Sequence, residues 1–243
     1  MNHDVWNPWH GCHKYSAGCA HCYVYRRDES VGRDAALVTR NADFDLPLRR
    51  DRRGGYRIPP GRHLYLCLTS DFLLEDADPW RDEIWAIMRQ RPDLSYTVIT
   101  KRIVRFERCL PADWGEGWPN VTVCCTMENQ TAAEQRFPVF RELPIARKIV
   151  TCEPLLGPID LTPWLDGRIS RVLAGGESGR AARVCDFDWV LALRRQCDAV
   201  GVPFTFMQTG ANFRKDGRLY RIERRLQKAQ AQRAGLDTTR SNA

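Results

Sequence analysis

The stretch VTVCCTMENQTAAEQRFPVFREL, residues 121–143, decides the fold class. It begins with a short apolar and β-branched run, VTVCCT at 121–126, which is typical of a buried strand. A polar turn follows, and then an amphipathic segment at 131–143 in which Pro138 is expected to kink or divide a helix. A strand, a polar turn and a helix in direct succession predict the repeating unit of an α/β protein.

The same unit recurs on both sides of this stretch. Five further apolar runs predict strands, at 63–69, 96–100, 148–152, 171–176 and 203–208. Amphipathic segments predict helices at 79–91, 102–110 and 187–200, with one more around 23–33. Strands that alternate with helices indicate a parallel sheet with right-handed crossovers. An open doubly wound sheet and a TIM-like barrel, complete or partial, both fit this order.

Polar side chains follow nearly every predicted strand. The clusters are Thr69-Ser70-Asp71, Thr100-Lys101-Arg102, Thr126-Met127-Glu128-Asn129, Thr151-Cys152-Glu153, Gly175-Gly176-Glu177-Ser178 and Gln208-Thr209. Such groups at most strand ends are typical of a barrel, whose strand ends meet at one mouth, whereas a doubly wound sheet concentrates its site at one switch point. We therefore expect an α/β fold, a single-domain partial TIM-like (βα)6 barrel with an N-terminal cysteine loop, over residues 1–229. The polar segment 230–243 is expected to be a disordered tail.

Helix capping is the competing interpretation of these clusters. Ser70, Asp71 and Asn129 are residue types that cap the free amides at the start of a helix. The charged residues that are not preferred caps are Lys101, Arg102, Glu128, Glu153 and Glu177. Charges of both signs at one rim favour a polar ligand.

Three cysteines stand close together before the first of these predicted strands. They are Cys12, Cys19 and Cys22, spaced C-x6-C-x2-C in WNPWHGCHKYSAGCAHCY, residues 6–23. The chain has ten cysteines, and the other seven lie in apolar runs or carry no ligand spacing. Three soft thiolates suit zinc or an iron-sulfur cluster. One interpretation is a zinc site completed by His10, His13 or His21, and the other is a cluster with one iron left open to a further ligand.

Composition limits the class of protein. The chain has 243 residues, of which 43% are hydrophobic and 28% charged, as in an ordinary globular protein. No apolar run reaches the roughly 18–20 residues that span a bilayer, and the start has no secretory signal, so we expect a cytoplasmic protein that does not enter a membrane. A net charge of +7, with basic segments at 26–57 and 213–233, favours an acidic partner such as nucleic acid, although solvated faces are the alternative.

Seven blocks of the chain resemble a known family. In order they are WNPWHGC…CAHCY, LTSDFLLEDA, VITKR, TMENQ, TCEPLLGPIDL, GGESGRAAR and VPFTFMQ, and they run from Trp6 to about Gly210. They resemble the blocks of a phage-associated family of uncharacterised proteins grouped with the radical S-adenosylmethionine enzymes. The resemblance implies a radical-SAM-like partial barrel, a [4Fe-4S] cluster on the three cysteines, S-adenosylmethionine as cofactor and an electron donor for the cluster. It implies no particular substrate.

The implied reaction is reductive cleavage of S-adenosylmethionine to a 5′-deoxyadenosyl radical, which abstracts a hydrogen atom from the substrate. On this interpretation Lys101 or Arg102 binds the methionyl carboxylate. The methionyl amine is expected to bind Asp71, Glu128 or Glu177, and adenine to stack on His21 or Tyr23. Glu153 is expected to contact the ribose or the substrate, with Asn129 at the same rim. Gly175 and Gly176 would allow close approach of the backbone to the ligand.

The chain departs from the expected pattern in three places. The superfamily's usual loop is C-x3-C-x2-C with an aromatic residue before the last cysteine, whereas here His21 holds that position. The usual Gly-Gly-Glu segment follows the second strand, whereas here it comes much later, at 175–177. Near the end, Met207-Gln208-Thr209 stands where relatives tend to have a lysine and a tryptophan. For the substrate, the basic segments, eight tryptophans and the phage association favour a nucleic-acid base or modified nucleotide. Trp6 and Trp9 are expected either to cover the cluster or to stack on a base.

A second function from another class fits the same residues. The chain would then be a non-catalytic nucleic-acid-binding protein in which a zinc or iron-sulfur knuckle staples the N-terminal segment to a basic surface. Metal content separates the two functions.

Overall fold

The computed structural model describes residues 5–239. Within them the chain forms twelve β-strands and five α-helices. The strands are β1 (Val5–Trp6), β2 (Trp9–His10), β3 (Thr39–Arg40), β4 (His63–Leu66), β5 (Ser95–Thr100), β6 (Val121–Thr126), β7 (Arg147–Cys152), β8 (Ile169–Gly175), β9 (Val184–Asp186), β10 (Phe204–Gln208), β11 (Asn212–Lys215) and β12 (Arg218–Arg221). The helices are α1 (Tyr23–Glu29), α2 (Asp78–Gln90), α3 (Gln130–Glu142), α4 (Phe187–Ala199) and α5 (Arg224–Arg233).

The fold is mixed α/β around a seven-stranded parallel sheet. Its strand order is β1-β4-β5-β6-β7-β8-β10, which is also the order of these strands along the chain. A three-stranded sheet, β12-β11-β9, and the two-stranded β2-β3 pair complete the strands. Strand β6 is buried along its whole length, because a central parallel strand is covered on both faces.

All six strands predicted from sequence are present in the seven-stranded sheet, as β4, β5, β6, β7, β8 and β10. The seventh, β1, pairs with β4 through Val5 opposite Tyr65 and Trp6 opposite Leu66. The cysteine loop therefore begins just beyond the carboxyl end of β1.

The predicted helices differ from the structure in two details. The segment 102–110, predicted as a short helix, instead forms two 3-10 turns, Ile103–Arg105 and Glu107–Cys109, because so short a segment closes readily with i to i+3 hydrogen bonds. Helix α3 contains Pro138 and continues past it to Glu142, so the proline does not divide the helix.

By their internal contacts the described residues divide into two compact units that are interleaved in sequence. The single domain expected over 1–229 stays a prediction. The first unit comprises residues 5–14, 24–124 and 143–147. Its core contains large aromatic side chains. Trp9 packs against Phe72 with ring centroids 5.9 Å apart, and Phe72 against Trp85 at 4.9 Å.

The second unit comprises residues 15–23, 125–142 and 148–239. Strands β7, β8 and β10 pair in parallel in it. Next to them β11 and β12 form an antiparallel hairpin that turns at Asp216 and Gly217, with φ values of 50° and 72°. Two successive residues with positive φ match the hairpin turn whose twist suits paired strands.

The disorder expected for the segment 230–243 stays a prediction, and the structure describes its residues up to 239. Helix α5 extends to Arg233 and buries Ala231. The Thr238 amide donates to the Phe204 carbonyl at 2.8 Å. Residues 240–243 lie outside the described range. In residues 5–239 no helix has both the length and the apolar character that a membrane span requires.

Candidate functional site

The cysteine loop holds the only thiols among the described residues that are not buried in the core. Cys12, Cys19 and Cys22 are half-buried, whereas the other seven cysteines are buried. Burial raises the pKa of Cys185 to about 12, which makes that thiol inert. The seven cysteines that lie in apolar runs or carry no ligand spacing are thus core residues, and the loop is the only source of accessible thiols in the described part of the chain.

Within the first unit, Arg102 lies beside Cys12. Its Nη1 is 3.9 Å from Cys12 Sγ, and its Nη2 donates to the carbonyl of His13 at 2.9 Å. Arg102 is only 3% exposed. A fixed guanidinium next to a thiol favours the thiolate, which is the form that binds metals and attacks electrophiles.

Asp71 holds this arginine in place. Its Oδ2 is 3.4 Å from Arg102 Nη1, and its two oxygens accept from the Thr100 hydroxyl at 2.7 Å and the Lys101 amide at 2.8 Å. Burial alone would lower the pKa of Arg102, but the charges of Asp71, Cys12 and Glu75 more than offset it and raise that pKa. The Asp71 carboxylate thus positions Arg102, and amine binding by Asp71 stays a prediction.

Within the second unit, Glu128 holds the middle of the cysteine loop. Its Oε1 accepts from the Ser16 hydroxyl and from the Gly18 amide, the latter at 3.1 Å, and its Oε2 lies 2.7 Å from Arg136 Nη1. The side chain is 0% exposed. Burial would raise the pKa of Glu128, but the charge of Arg136 and the loop hydrogen bonds lower it overall. An ionised, buried carboxylate therefore fixes the backbone just before Cys19.

Glu177 and Arg183 form a second support of the same loop. Arg183 donates to Glu177 Oε2 from Nε at 3.0 Å and to Oε1 from Nη2 at 2.7 Å, while its Nη1 donates to the Ala17 carbonyl at 3.0 Å. Burial would raise the pKa of Glu177, but these bonds lower it, with a smaller contribution of the same sign from His21. The predicted amine ligand Glu177 is thus paired with an arginine.

The Gly175-Gly176 segment is packed against the chain's own atoms. A Cβ at Gly175 would lie 2.9 Å from the Glu153 carboxyl carbon, and one at Gly176 would lie 2.2 Å from the Thr209 carbonyl oxygen. Glu153 also accepts from the Gln208 side chain at 2.5 Å. Close internal packing accounts for both glycines, so ligand approach at this segment stays a prediction.

The remaining predicted residues have separate positions. Asn129 precedes α3, and its Oδ1 accepts from the Ala132 amide at 2.9 Å, as the capping interpretation predicts. Tyr23 begins α1 and is 48% exposed. The Lys101 ammonium has no hydrogen-bond or ion-pair partner in residues 5–239. Trp6 and Trp9 are both 0% exposed, so stacking on a base is excluded in this conformation.

The type of ligand atoms in the loop, three thiol sulfurs, is suited to a thiolate-bound metal centre. The three half-buried thiols are soft ligands, and Arg102 favours the thiolate at one of them. The part of the chain that the structure describes contains no group of three or more His, Cys, Asp or Glu side chains already arranged to hold a metal ion. A metal bound by this loop would therefore have to bring its ligands together as it binds, and part of its binding free energy would go into ordering them.

Sequence reasoning missed the arginines that neutralise the site carboxylates. Arg136 lies inside α3 and Arg183 just before β9, and each pairs with a predicted site residue. Arg183 ends the motif GGESGRAAR, six positions after Glu177, so the motif itself contains this pair. No local pattern distinguishes Arg136 from other helical arginines.

Comparisons with known proteins give one match. No curated protein and no solved structure matches the chain. A family model described as "Protein of unknown function (DUF5131)" matches residues 1–240. The match covers nearly the whole sequence, and the chain therefore belongs to the DUF5131 family.

Proposed function

We propose that the protein is a radical S-adenosylmethionine enzyme of a phage-associated group, with a [4Fe-4S] cluster on Cys12, Cys19 and Cys22. The observation that carries the proposal is that these three thiols, on one loop after β1, are half-buried while the other seven are buried. A loop with three thiol ligands leaves one iron of a four-iron cluster open to a cofactor.

The fold proposed for this function is a partial TIM-like (βα)6 barrel. The strands of the large sheet follow one another in chain order, from β1 to β10. A doubly wound sheet reverses its order at a switch point, whereas a barrel does not. The strand order therefore favours the barrel interpretation.

The residues of this chain have three tasks in the proposed reaction. When bound, the cluster and S-adenosylmethionine supply a radical that abstracts hydrogen. Lys101 is the better of the two predicted carboxylate ligands, because Arg102 is already engaged by Asp71, Glu75 and the His13 carbonyl. For the amine, Asp71, Glu128 and Glu177 each already pair with an arginine, so an incoming ammonium must share or displace it. Glu128 and Arg183 fix the loop backbone.

The proposed substrate is a nucleic-acid base or modified nucleotide, and the reaction also needs a one-electron donor. The net charge of +7 supports an acidic substrate. The segment at 213–233 contributes exposed arginines in the second unit.

Anaerobic reconstitution with iron and sulfide tests the proposal. We expect about four irons per chain and a brown iron-sulfur absorbance. After reduction with dithionite, S-adenosylmethionine should be cleaved to 5′-deoxyadenosine, measured by liquid chromatography. Replacing Cys12, Cys19 or Cys22 with Ala should lower iron content and abolish cleavage.

Cys197→Ala is the matched control, because Cys197 is buried in α4 and outside the loop. It should keep both iron and cleavage. A colourless protein with one zinc per chain and no cleavage would overturn the proposal in favour of a non-catalytic nucleic-acid-binding protein.

A further inference from the structure

A cavity of about 600 Å³ lies within the second unit, at the start of helix α5. Its volume is within the roughly 300–1,000 Å³ of typical small-molecule sites. The side chains that line it and matter here are Arg180, Arg221, Arg224, Asn212 and Gln227. They come from the loop after β8, from the β11-β12 hairpin and from the first turn of α5.

Three arginines make the cavity strongly basic. Arg221 lies on the same face of the hairpin as Asn212, because the two residues are directly opposite in the antiparallel register. Arg180 and Arg221 have no ion-pair partner in residues 5–239, and Arg224 donates only to the neutral Gln208 side chain, at 2.8 Å. The one acidic lining residue, Glu223, is 2.7 Å from the exposed Arg225, which partly offsets its charge.

The start of α5 adds to this charge. The helix is 10 residues long, and the Glu223 side chain does not cap it. The first amides of a helix have no intrahelical acceptor, and the helix dipole places partial positive charge there. Such an end is suited to a phosphate group.

Gln227 supplies an independent sign of a ligand. The residue is 1% exposed, and its Oε1 is buried with no hydrogen-bond partner in the described part of the chain. Its Nε2 donates to the Ile222 carbonyl at 2.9 Å, which fixes the amide orientation. A buried acceptor without a donor is costly, so a ligand that donates a hydrogen bond would stabilise it.

We propose that this cavity binds a nucleotide unit of single-stranded nucleic acid. Arg180, Arg221 and Arg224 contact its phosphate, and a sugar hydroxyl or base amine donates to Gln227 Oε1. An anion without a hydrogen-bond donor, such as sulfate, satisfies the arginines but not the glutamine, whereas a nucleotide satisfies both. The proposal goes beyond the proposed function and needs neither a cluster nor S-adenosylmethionine.

Fluorescence anisotropy with a labelled single-stranded DNA of about 12 nucleotides tests the phosphate contacts on the full chain. Arg221→Gln/Arg224→Gln should weaken binding about tenfold or more, because the variant cannot form the charge-assisted hydrogen bonds to phosphate. The slope of log affinity against log salt should fall by about 0.7 for each phosphate that the variant no longer neutralises.

Arg218→Gln/Arg233→Gln is the matched control. It also removes two positive charges, from β12 and α5, but neither residue lines the cavity. Equal weakening by both double variants, an unchanged affinity in the cavity variant, or no binding by the unmodified protein would each overturn the proposal. All four arginines are exposed, so the variants should fold.

Competition separates a nucleotide from a simple anion. AMP should displace the labelled strand at lower concentration than sulfate does, and Gln227→Leu should abolish that difference. An unlabelled strand that competes much better than AMP supports single-stranded nucleic acid as the ligand, whereas equal competition by AMP would overturn it in favour of the free nucleotide. If sulfate competes as well as AMP, the assignment of Gln227 is wrong.

The cluster and this cavity can be tested separately. A variant with Cys12, Cys19 and Cys22 replaced by Ala should bind the labelled strand with unchanged affinity. Loss of binding in that variant contradicts the independence of the two sites. A failed reconstitution with retained strand binding overturns only the proposed function.

Discussion

At the scale of single residues, Glu128 ties the cysteine loop to the rest of the second unit. Glu128→Ala would leave the Arg136 side chain, which is 4% exposed, without its acidic partner. It would also remove the hydrogen bonds from the Ser16 hydroxyl and the Gly18 amide that hold the loop. We expect the free energy of unfolding to fall by about 3–5 kcal/mol, the usual cost of breaking a buried ion pair. Urea denaturation measures it. Glu134→Ala, exposed on the same helix, should change stability by less than about 0.5 kcal/mol.

The same carboxylate gives a pH dependence with a defined sign. The pKa of Glu128 is lowered in the folded state, from an ordinary value of 4.5, so the folded protein binds fewer protons there than the unfolded chain. Its contribution to stability is present above the unfolded pKa and is lost as pH falls through the lower, folded value. Glu128→Gln should therefore lose less stability than the unmodified protein as pH falls below about 4.5. Equal acid sensitivity in urea midpoints would contradict this.

Sequence reasoning singled out Glu128 and Glu177 as candidate site residues but did not find their partners. Position after a strand marks Glu128 and Glu177 as rim residues, since strand ends share one edge of a sheet. Their neutralisation by Arg136 and Arg183 depends on how a helix and a loop pack, which no local pattern encodes. For that reason the sequence suggests that these carboxylates bind a ligand, whereas in the structure they hold the cysteine loop through hydrogen bonds and arginine pairs.

At the scale of elements, helix α3 offers a test between capping and cofactor binding for Asn129. Asn129→Ala removes the bond from the Ala132 amide and should cost about 1 kcal/mol of stability. Asn129→Asp keeps an oxygen acceptor at the helix start and should retain most of it. Thermal unfolding of the two variants measures the difference. Loss of stability in Asn129→Asp as large as in Asn129→Ala would contradict capping.

The elements predicted from sequence are those with a clear hydrophobic period. Strand β1 was missed because two residues show no period. Strand β12 is exposed at every position, so it lacks the alternation that marks a half-buried strand. Helix α5 buries only Gln227 and Ala231, so its sequence shows almost no row of apolar residues at helical spacing. Tertiary contacts fix β1 and α5, whereas β12 is placed by its hairpin with β11 and the Asp216-Gly217 turn, a local signal that the hydrophobic pattern does not show.

At the scale of the whole molecule, the division of the chain was not predictable from composition. Each unit is assembled from three separate stretches of sequence, and the boundary inside β6 falls between Cys124 and Cys125. No Pro-rich, Gly-rich or charged linker marks this boundary. The chain passes between the two units several times, so no single linker separates them.

Thiol reactivity under native conditions tests the distribution of cysteines over the whole molecule. With the chromogenic disulfide DTNB we expect three fast-reacting thiols per chain and seven that react only after unfolding, because three cysteines are half-buried and seven buried. Arg102→Gln should slow one of the fast thiols, because the guanidinium 3.9 Å from Cys12 favours its thiolate. Arg102→Lys keeps the positive charge, so most of the reaction rate of that thiol should be retained. Arg108→Gln removes an exposed arginine six positions further along the chain and should leave the rate unchanged. Equal rates in Arg102→Gln and the unmodified protein would show that Cys12 does not depend on this arginine.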